Sequence, residues 1–375
     1  MPPPAKPFAG LEQIIDSDGP IRMLLVHGMS EHDPTWGSQY LQPYATDLHA
    51  TLGSGDGPYP LTPVRFPKNP YLKNHKNLTD TYSANLQRFP INRGGRTILE
   101  AYVLTWSPLT EPFKQERFTS DNALPRLTIN GDAKQFINGT LSDVVLYLAG
   151  YDHHVLEDSV CAAVEIFDNH GLGDDGIQDP KAPIVLLSES QGSIMLFDAL
   201  LGELPYDRSS HESRFDGSRA HKELFQNTRM FIMNANQLPL LDAWPNVKYG
   251  SPMAAETVEP DSGPPPLHST YIKALGELRH HEAPFSGAKQ RPLDLIVLTD
   301  LNDDLSYFLD EEDVPPQISI VTLQPVNGPH YYVPIKLPHY VENPYLAHTG
   351  YKSNPAVADA IVNEHTTGMI PGNNQ

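Results

Sequence analysis

The chain has 375 residues, of which 39% are apolar, and its 26 basic and 46 acidic side chains give a formal net charge of −20 with histidine neutral. The apolar content excludes disorder as a description of the whole chain, and the acidic excess argues against binding to nucleic acid or to anionic membranes, which requires concentrated Lys and Arg. The single cysteine, Cys161, excludes an intrachain disulfide and a zinc site built from several cysteines.

The N-terminal residues 1–8 are rich in proline and contain no apolar stretch of signal-peptide length. No run approaches the roughly 18 apolar residues that are needed to span a bilayer. With one cysteine, these features predict a cytoplasmic protein that has no transmembrane segment. A secreted form whose signal has been removed is the alternative. The oligomeric state is left open.

Six short apolar runs are typical of buried strands. They are rich in Val, Ile and Leu and lack the alternation of a strand that has one face in solvent. In chain order they are Ile21–Val26, Ile98–Trp106, Pro183–Leu187, Arg229–Met233, Leu293–Leu298 and Ile318–Leu323. We predict that these runs are strands of one sheet that is buried on both faces.

Helical patterns lie between these runs. They are the apolar positions Leu156, Val160, Val164 and Phe167, which stop before His170-Gly171, and the ranges 194–204 and 354–363. Strands that alternate with helices predict an α/β fold, a three-layer α/β/α sandwich around a mostly parallel sheet. We expect residues 1–375 to form a single domain.

Two stretches read as insertions into this pattern. Residues 107–136 are polar and irregular, and residues 235–292 separate two core strands in a position suited to a cap or lid over the site. The glycine-rich segment Leu52–Pro58 is predicted to be a flexible loop, because it precedes no clear helix and therefore does not match a phosphate-binding loop. Neither His153-His154 nor His280-His281 has companion acidic residues at ligand spacing, so no metal site is predicted.

The first predicted strand ends at the turn His27-Gly28-Met29-Ser30. A tetrahedral oxyanion requires two preset backbone N–H donors, and a turn directly after a buried strand can supply one of them. The Met29 N–H is the candidate donor, with His27 and Gly28 as supporting residues. A His-Gly dipeptide alone is a weak signal, and its value here depends on its position ahead of the next motif.

A buried strand runs through Ser188-Glu-Ser190-Gln-Gly192 directly into a helical pattern. This is the context of a nucleophile elbow, in which a serine occupies a strained strand-to-helix turn and needs small residues two positions away on either side. Gly192 meets this need on one side and Ser188 on the other. Ser190 is therefore the candidate nucleophile, and the N–H of Gln191 is the second oxyanion donor. Ser188 and Ser193 are poorer candidates by the same spacing rule.

With these two motifs in this order, the chain resembles the α/β-hydrolase superfamily, which includes lipases, esterases and thioesterases. The resemblance extends over roughly residues 20–365, although outside the motifs it is one of pattern. It departs from the family at Ser188, where a glycine is usual. In this family the triad runs in the order Ser, then Asp or Glu, then His, and it uses neither a metal nor an organic cofactor.

The resemblance implies a triad acid after a late strand and a histidine before the final helix. After Leu293–Leu298 it favours Asp303, then Asp300, then Asp304, because adjacent side chains in the loop should diverge. Three candidates for this histidine follow the last strand. They are His330, His339 and His348, and the family pattern favours His348, in a loop before a helix that starts near Asn354-Pro355.

The expected activity is that of a serine hydrolase that cleaves carboxylic esters through an acyl-enzyme. A moderately apolar ester, such as a lipid or an aryl ester, is the expected substrate, while thioesters, lactones and amides stay open. A catalytically inactive α/β-hydrolase that serves as a binding or scaffold protein is the alternative, since Ser188 replaces the usual glycine.

Overall fold

The computed structural model describes residues 6–30, 32–33, 35–61, 83–111, 114, 118, 134, 137–148, 159–160, 162–164, 166–167, 176–179, 181–201, 224, 226–239, 272–273, 275–276, 292–309, 314–327, 331–334, 338–341 and 344–364. Most of the two predicted insertions lies outside the described residues. The same holds for Cys161, His153-His154, His280-His281 and His330.

In the described residues, nine strands form one sheet. They are β1 (Ile21–Val26), β2 (Thr51–Leu52), β3 (Asp56–Pro60), β4 (Asn85–Arg93), β5 (Arg96–Thr105), β6 (Ile184–Glu189), β7 (Thr228–Asn234), β8 (Leu293–Leu298) and β9 (Ile318–Leu323). Their order is β2-β4-β5-β1-β6-β7-β8-β9, and β3 pairs with β4. From β5 to β9 along this order, neighbouring strands pair in parallel. Strand β4 pairs antiparallel with β2, β3 and β5. The predicted mostly parallel α/β sheet is confirmed.

Helices are described on both faces of the sheet. They are α1 (Leu11–Asp18), α2 (Trp36–Asp47), α3 (Ser142–Leu148), α4 (Gly192–Leu201), α5 (Pro344–Thr349) and α6 (Pro355–Asn363). Short turns of other helix types span Ser107–Leu109, Ile137–Leu141 and Gly350–Ser353, and β10 (Tyr331–Pro334) pairs with β11 (Pro338–Val341) in a separate hairpin. In the described ranges, no helix has both the length and the apolar character that a bilayer crossing requires.

Alternate residues of the central strands enter two separate hydrophobic clusters. In β1, Met23 and Leu25 pack with α1, α2 and α6, while Leu24 and Val26 pack with α4 on the other face. Burial on both faces explains why the parallel strands read as continuous apolar runs. This arrangement is compatible with a three-layer α/β fold.

Several elements differ from the sequence prediction for identifiable reasons. Helix α2 was not predicted; it carries Pro43 inside it, although its buried residues Trp36, Tyr40 and Tyr44 recur at helical spacing. The antiparallel β4 was not predicted either, and it alternates between buried and part-exposed residues around Pro90. The glycine-rich segment predicted as a flexible loop is partly strand, because β3 pairs with β4. Helix α4 begins at Gly192 rather than at residue 194.

Because β1, β6, β7 and β8 are parallel, their carboxyl ends lie at one edge of the sheet. Ligand sites in open α/β sheets lie outside this edge. The segments that leave it are the turn after β1, the turn after β6 and the loop after β8, and these segments carry the predicted oxyanion donors, nucleophile and acid.

Candidate active site

Ser190 occupies a strained turn between β6 and α4. Its φ is +52°, in the left-handed region that residues other than glycine rarely adopt. The Ser190 N–H donates to the carbonyl oxygen of Asn234 at 2.7 Å, and the Ser190 carbonyl accepts from Ser193 N at 3.0 Å. The turn therefore has the strained strand-to-helix geometry that was predicted for a nucleophile elbow.

Two glycines allow the turn after β1 to approach this serine. A Cβ placed on Gly192 would lie 2.6 Å from the carbonyl oxygens of both Val26 and His27. A Cβ on Gly28 would lie 2.7 Å from the Ser190 Cβ. Any larger residue at Gly28 or Gly192 would force the two turns apart, so both supporting roles predicted for these glycines have a steric basis.

Ser188 and Ser193 bond to each other rather than to the candidate base. Their hydroxyls lie 2.9 Å apart, and Ser188 Oγ also reaches the carbonyl oxygen of Ile232 at 3.3 Å. Both side chains are fully buried. The serine that stands in place of the usual glycine is thus accommodated, since its hydroxyl is hydrogen-bonded on the α4 side of the sheet.

Ser190, His348 and Asp303 form one chain of hydrogen bonds. Ser190 Oγ lies 3.0 Å from His348 Nε2, and His348 Nδ1 lies 2.9 and 3.0 Å from the two carboxylate oxygens of Asp303. All three residues are buried. Because a carboxylate only accepts hydrogen bonds, Nδ1 carries the proton and Nε2 is left to accept from the serine hydroxyl. This tautomer is the one that a general base requires.

His348 was predicted to lie in a loop, but in the structure it lies in the last turn of α5. The chain then makes the short helical turn Gly350–Ser353, and α6 begins at Pro355 with Asn354 as its N-cap. The short helix escapes detection because its six residues are too few to show an apolar period. Of the alternative histidines, His339 lies in β11 with its side chain outside the described set, and His330 is not described.

The three predicted acidic candidates have different surroundings. The Asp303 N–H donates to the Asp300 carbonyl at 3.0 Å, and Asp303 Oδ1 accepts from Leu305 N at 3.0 Å. The Asp300 carboxylate accepts from the backbone N–H groups of Asn302 at 2.9 Å and Asn327 at 2.7 Å, and burial raises the pKa of this carboxyl. Asp304 is exposed. Asp300 therefore shapes the loop, and Asp303 faces the histidine.

Tyr351 contacts the candidate acid, Asp303, and belongs to no motif that would identify it in the sequence. Its hydroxyl donates to Asp303 Oδ2 at 3.3 Å and accepts from the Asp300 N–H at 2.7 Å. Burial, and then the charge of Asp303, raise the pKa of the Tyr351 phenol well above its usual value. The position three residues after His348 is the one sequence feature that could have drawn attention to it.

His27 holds the turn after β1 from inside the core. Its Nε2 accepts from the N–H groups of Trp106 at 2.9 Å and Ser107 at 3.2 Å, so its Nδ1 carries the proton and donates to the Gly28 carbonyl at 2.6 Å. Burial lowers the pKa of His27 well below its usual value. A neutral, fully bonded histidine of this kind is compatible with the supporting role that the sequence predicts.

Of the two predicted oxyanion donors, Met29 lies in the turn after β1 and Gln191 lies in the turn that carries Ser190. Met29 and Gln191 are both buried. Within the part of the chain that the structure describes, neither backbone N–H donates to a protein acceptor. Buried N–H groups are nearly always satisfied in folded proteins, so these two are suited to receive an oxygen of a bound molecule.

Glu189 is a buried carboxyl directly before the candidate nucleophile, and no sequence motif singles it out. It pairs in register with Asn234 of β7, which donates to the Tyr40 hydroxyl. Its Oε2 atom has no partner among the described residues. Burial raises the pKa of Glu189 to about 7, against smaller lowering effects of Lys352 and His348.

The variant Glu189→Gln is expected to stabilise the protein at about pH 8 by up to about 3 kcal/mol. A carboxyl whose pKa is higher in the folded than in the unfolded state contributes stability below the unfolded pKa, and this contribution is lost as the pH rises through about 7. Urea unfolding of both proteins at about pH 5 and about pH 8 measures the change. An equal difference at both pH values would show that Glu189 is not the titrating group.

The chain was compared with protein-family models, with curated proteins and with solved structures, and none matches at a significant level. No group of three or more His, Cys, Asp or Glu side chains that could hold a metal ion is found among the described residues.

Proposed function

We propose that the chain is a serine hydrolase of the α/β-hydrolase superfamily that cleaves carboxylic esters through an acyl-enzyme. The observation that carries the proposal is the continuous contact from Ser190 Oγ to His348 Nε2 at 3.0 Å and from His348 Nδ1 to Asp303 at 2.9 Å. The positive φ of Ser190 is a second support, because strain of this kind persists where surrounding contacts impose it and clusters at functional sites.

In the proposed mechanism, Ser190 Oγ attacks the ester carbonyl carbon while His348 Nε2 takes its proton. The N–H groups of Met29 and Gln191 stabilise the oxyanion of the tetrahedral intermediate. His348 then protonates the leaving alcohol, and a water molecule that it activates in the same way hydrolyses the acyl-enzyme. Asp303 keeps the imidazole in the required tautomer and stabilises the imidazolium. These steps use side chains, backbone and water alone.

We infer a moderately apolar ester as the substrate. The net charge of −20 would repel anionic polymers. Residues 235–292 are proposed to form a cap over the site. In support, this segment starts at the end of β7, where Ala235 N donates to the Leu298 carbonyl at 3.0 Å, and Asn236 Nδ2 donates to the Tyr307 carbonyl in the acid loop at 2.9 Å.

A fluorophosphonate probe tests the proposal directly, because it phosphonylates a serine that is activated by a neighbouring base. The wild type is expected to take the label, and Ser190→Ala is expected to take none. Ser193→Ala is the matched control and is expected to label as the wild type does. Absence of label from the wild type would favour the alternative, an inactive α/β-hydrolase that acts as a binding or scaffold protein.

A further inference from the structure

A buried ion pair links Lys114 to Asp143 of α3. Both residues are less than a tenth exposed, and Lys114 Nζ lies 3.0 Å from Asp143 Oδ2. The ammonium also donates to the Gly139 carbonyl at 3.0 Å and lies 2.5 Å from Glu111 Oε1. Three acceptors of the protein therefore surround the Lys114 ammonium. The Lys114–Asp143 ion pair is therefore part of the buried structure of the protein.

The same carboxylate holds the turn after β1. Asp143 Oδ2 accepts from the Ser30 N–H at 2.9 Å. Ser30 has a φ of +85°, a conformation that a serine adopts only under constraint. This N–H belongs to the peptide group between Met29 and Ser30, and the Met29 N–H belongs to the preceding peptide group. By holding the first group, the carboxylate limits the rotation of the backbone at Met29. A charged acceptor makes this hydrogen bond stronger than a neutral one would.

Asp143 also contacts the turn that carries the nucleophile. The side chain of Gln191 donates from Nε2 to the main-chain carbonyl of Asp143 at 3.4 Å. One residue of α3 thus touches Ser30, beside one oxyanion donor, and Gln191, which carries the other. These contacts converge from three segments that are far apart in the chain.

We propose that Asp143, held by Lys114, is a positioning residue that sets the spacing of the two oxyanion donors, Met29 and Gln191. The inference rests on the proposed hydrolase function and extends it. Among the described residues the contacts of Asp143 are with Lys114, Ser30 and Gln191 rather than with Ser190 or His348, so it acts through the turn after β1 and the side chain of Gln191. An oxyanion hole stabilises charge that develops in the transition state, so loosening it lowers kcat and leaves ground-state binding in place.

The test uses Asp143→Asn, which keeps the shape of the side chain and loses its charge. With a p-nitrophenyl ester we expect kcat to fall about 10- to 100-fold and KM to change by less than about twofold. A trifluoromethyl ketone, which adds to the serine and places its oxygen in the oxyanion hole, should bind more weakly by the same factor.

A second buried carboxylate provides the matched control. Glu100 in β5 accepts from Arg88 and from the Ile177 N–H at 3.0 Å, which repeats the combination of a cation and a backbone donor. It lies opposite Arg22, at the end of β1 remote from His27. Glu100→Gln is expected to lose thermal stability while it keeps the wild-type kcat and the wild-type affinity for the ketone.

Asp143→Glu covers the case in which Asp143→Asn does not fold, because it retains the ion pair and displaces the carboxylate by one methylene. A parallel loss of kcat and of ketone affinity in the folded Asp143 variant supports the proposal. Loss of stability alone, as expected for Glu100→Gln, overturns it. A wild type that is neither active nor labelled by the fluorophosphonate overturns the hydrolase function itself, which is a different result from an active wild type with an unaffected Asp143 variant.

Discussion

His348→Ala is expected to lower kcat for a p-nitrophenyl ester about 10⁴- to 10⁶-fold, with KM nearly unchanged. His348 Nε2 lies 3.0 Å from Ser190 Oγ, so its removal takes away the proton acceptor without altering the turn that carries the serine. Without a base the hydroxyl is a poor nucleophile at neutral pH. Steady-state kinetics on purified wild type and variant measure the effect, and circular dichroism shows whether the variant is folded.

His339→Ala is the control for this prediction, because His339 is, with His330, one of the two alternative bases that the family pattern leaves. Its backbone lies in β11, which pairs with β10 away from the main sheet. We expect this variant to keep the wild-type kcat. If His339→Ala lost activity and His348→Ala did not, the base would be misassigned and the 3.0 Å contact would be structural.

The parallel part of the sheet could be predicted from the sequence because burial on both faces removes all polar alternation. Ile21–Val26, Leu293–Leu298 and Ile318–Leu323 were predicted with the bounds that the strands have. The antiparallel strand Asn85–Arg93 has no such run, since buried Leu86 and Ile91 alternate with part-exposed residues around a proline. Its place in the sheet depends on pairing with the next strand, which a local pattern does not contain.

Some residues of the candidate site could likewise be predicted from the sequence and others could not. Ser190, Asp303 and His348 could be proposed from local motifs and from their order along the chain, and the structure brings these three side chains together. Tyr351 and Asp143 could not be found in this way. Their roles depend on contacts with residues 48 and 113 positions away, Asp303 and Ser30 respectively, and neither has a residue pattern of its own.

At position 188 the chain has a serine where the family has a glycine. The spacing of residues around Ser190 alone could not predict whether the turn accommodates this serine. The resemblance to the family made this serine a reason to consider an inactive protein. In the structure its hydroxyl is 2.9 Å from Ser193 Oγ, a serine five residues later on α4. The pair satisfies both buried hydroxyls, and Ser188 Oγ also reaches the carbonyl oxygen of Ile232 at 3.3 Å.

Asp303→Asn is expected to lower kcat about 10⁴-fold and to leave the fold intact. The carboxylate accepts from His348 Nδ1 at 2.9 Å, whereas an amide can present its NH₂ group to this nitrogen and so favour the tautomer with the proton on Nε2. That tautomer cannot take the proton of Ser190. The rate of fluorophosphonate labelling should fall together with kcat, because both depend on the same proton transfer.

Asp300→Asn and Asp304→Asn complete the series at the other two candidate acids. Asp300→Asn loses one of the two backbone N–H bonds to this carboxylate but also relieves the burial that raises its pKa, so these opposing effects should leave stability near that of the wild type, and kcat should fall much less than in Asp303→Asn. Asp304 is exposed, and its amide should change neither quantity. A loss of kcat at Asp300 that equalled the loss at Asp303 would mean that the loop as a whole, rather than one carboxylate, controls the histidine.

Because Tyr351 contacts both Asp303 and the backbone of Asp300, Tyr351→Phe in the Asp300→Asn background would separate these two explanations. Non-additive losses would locate the coupling in this hydroxyl.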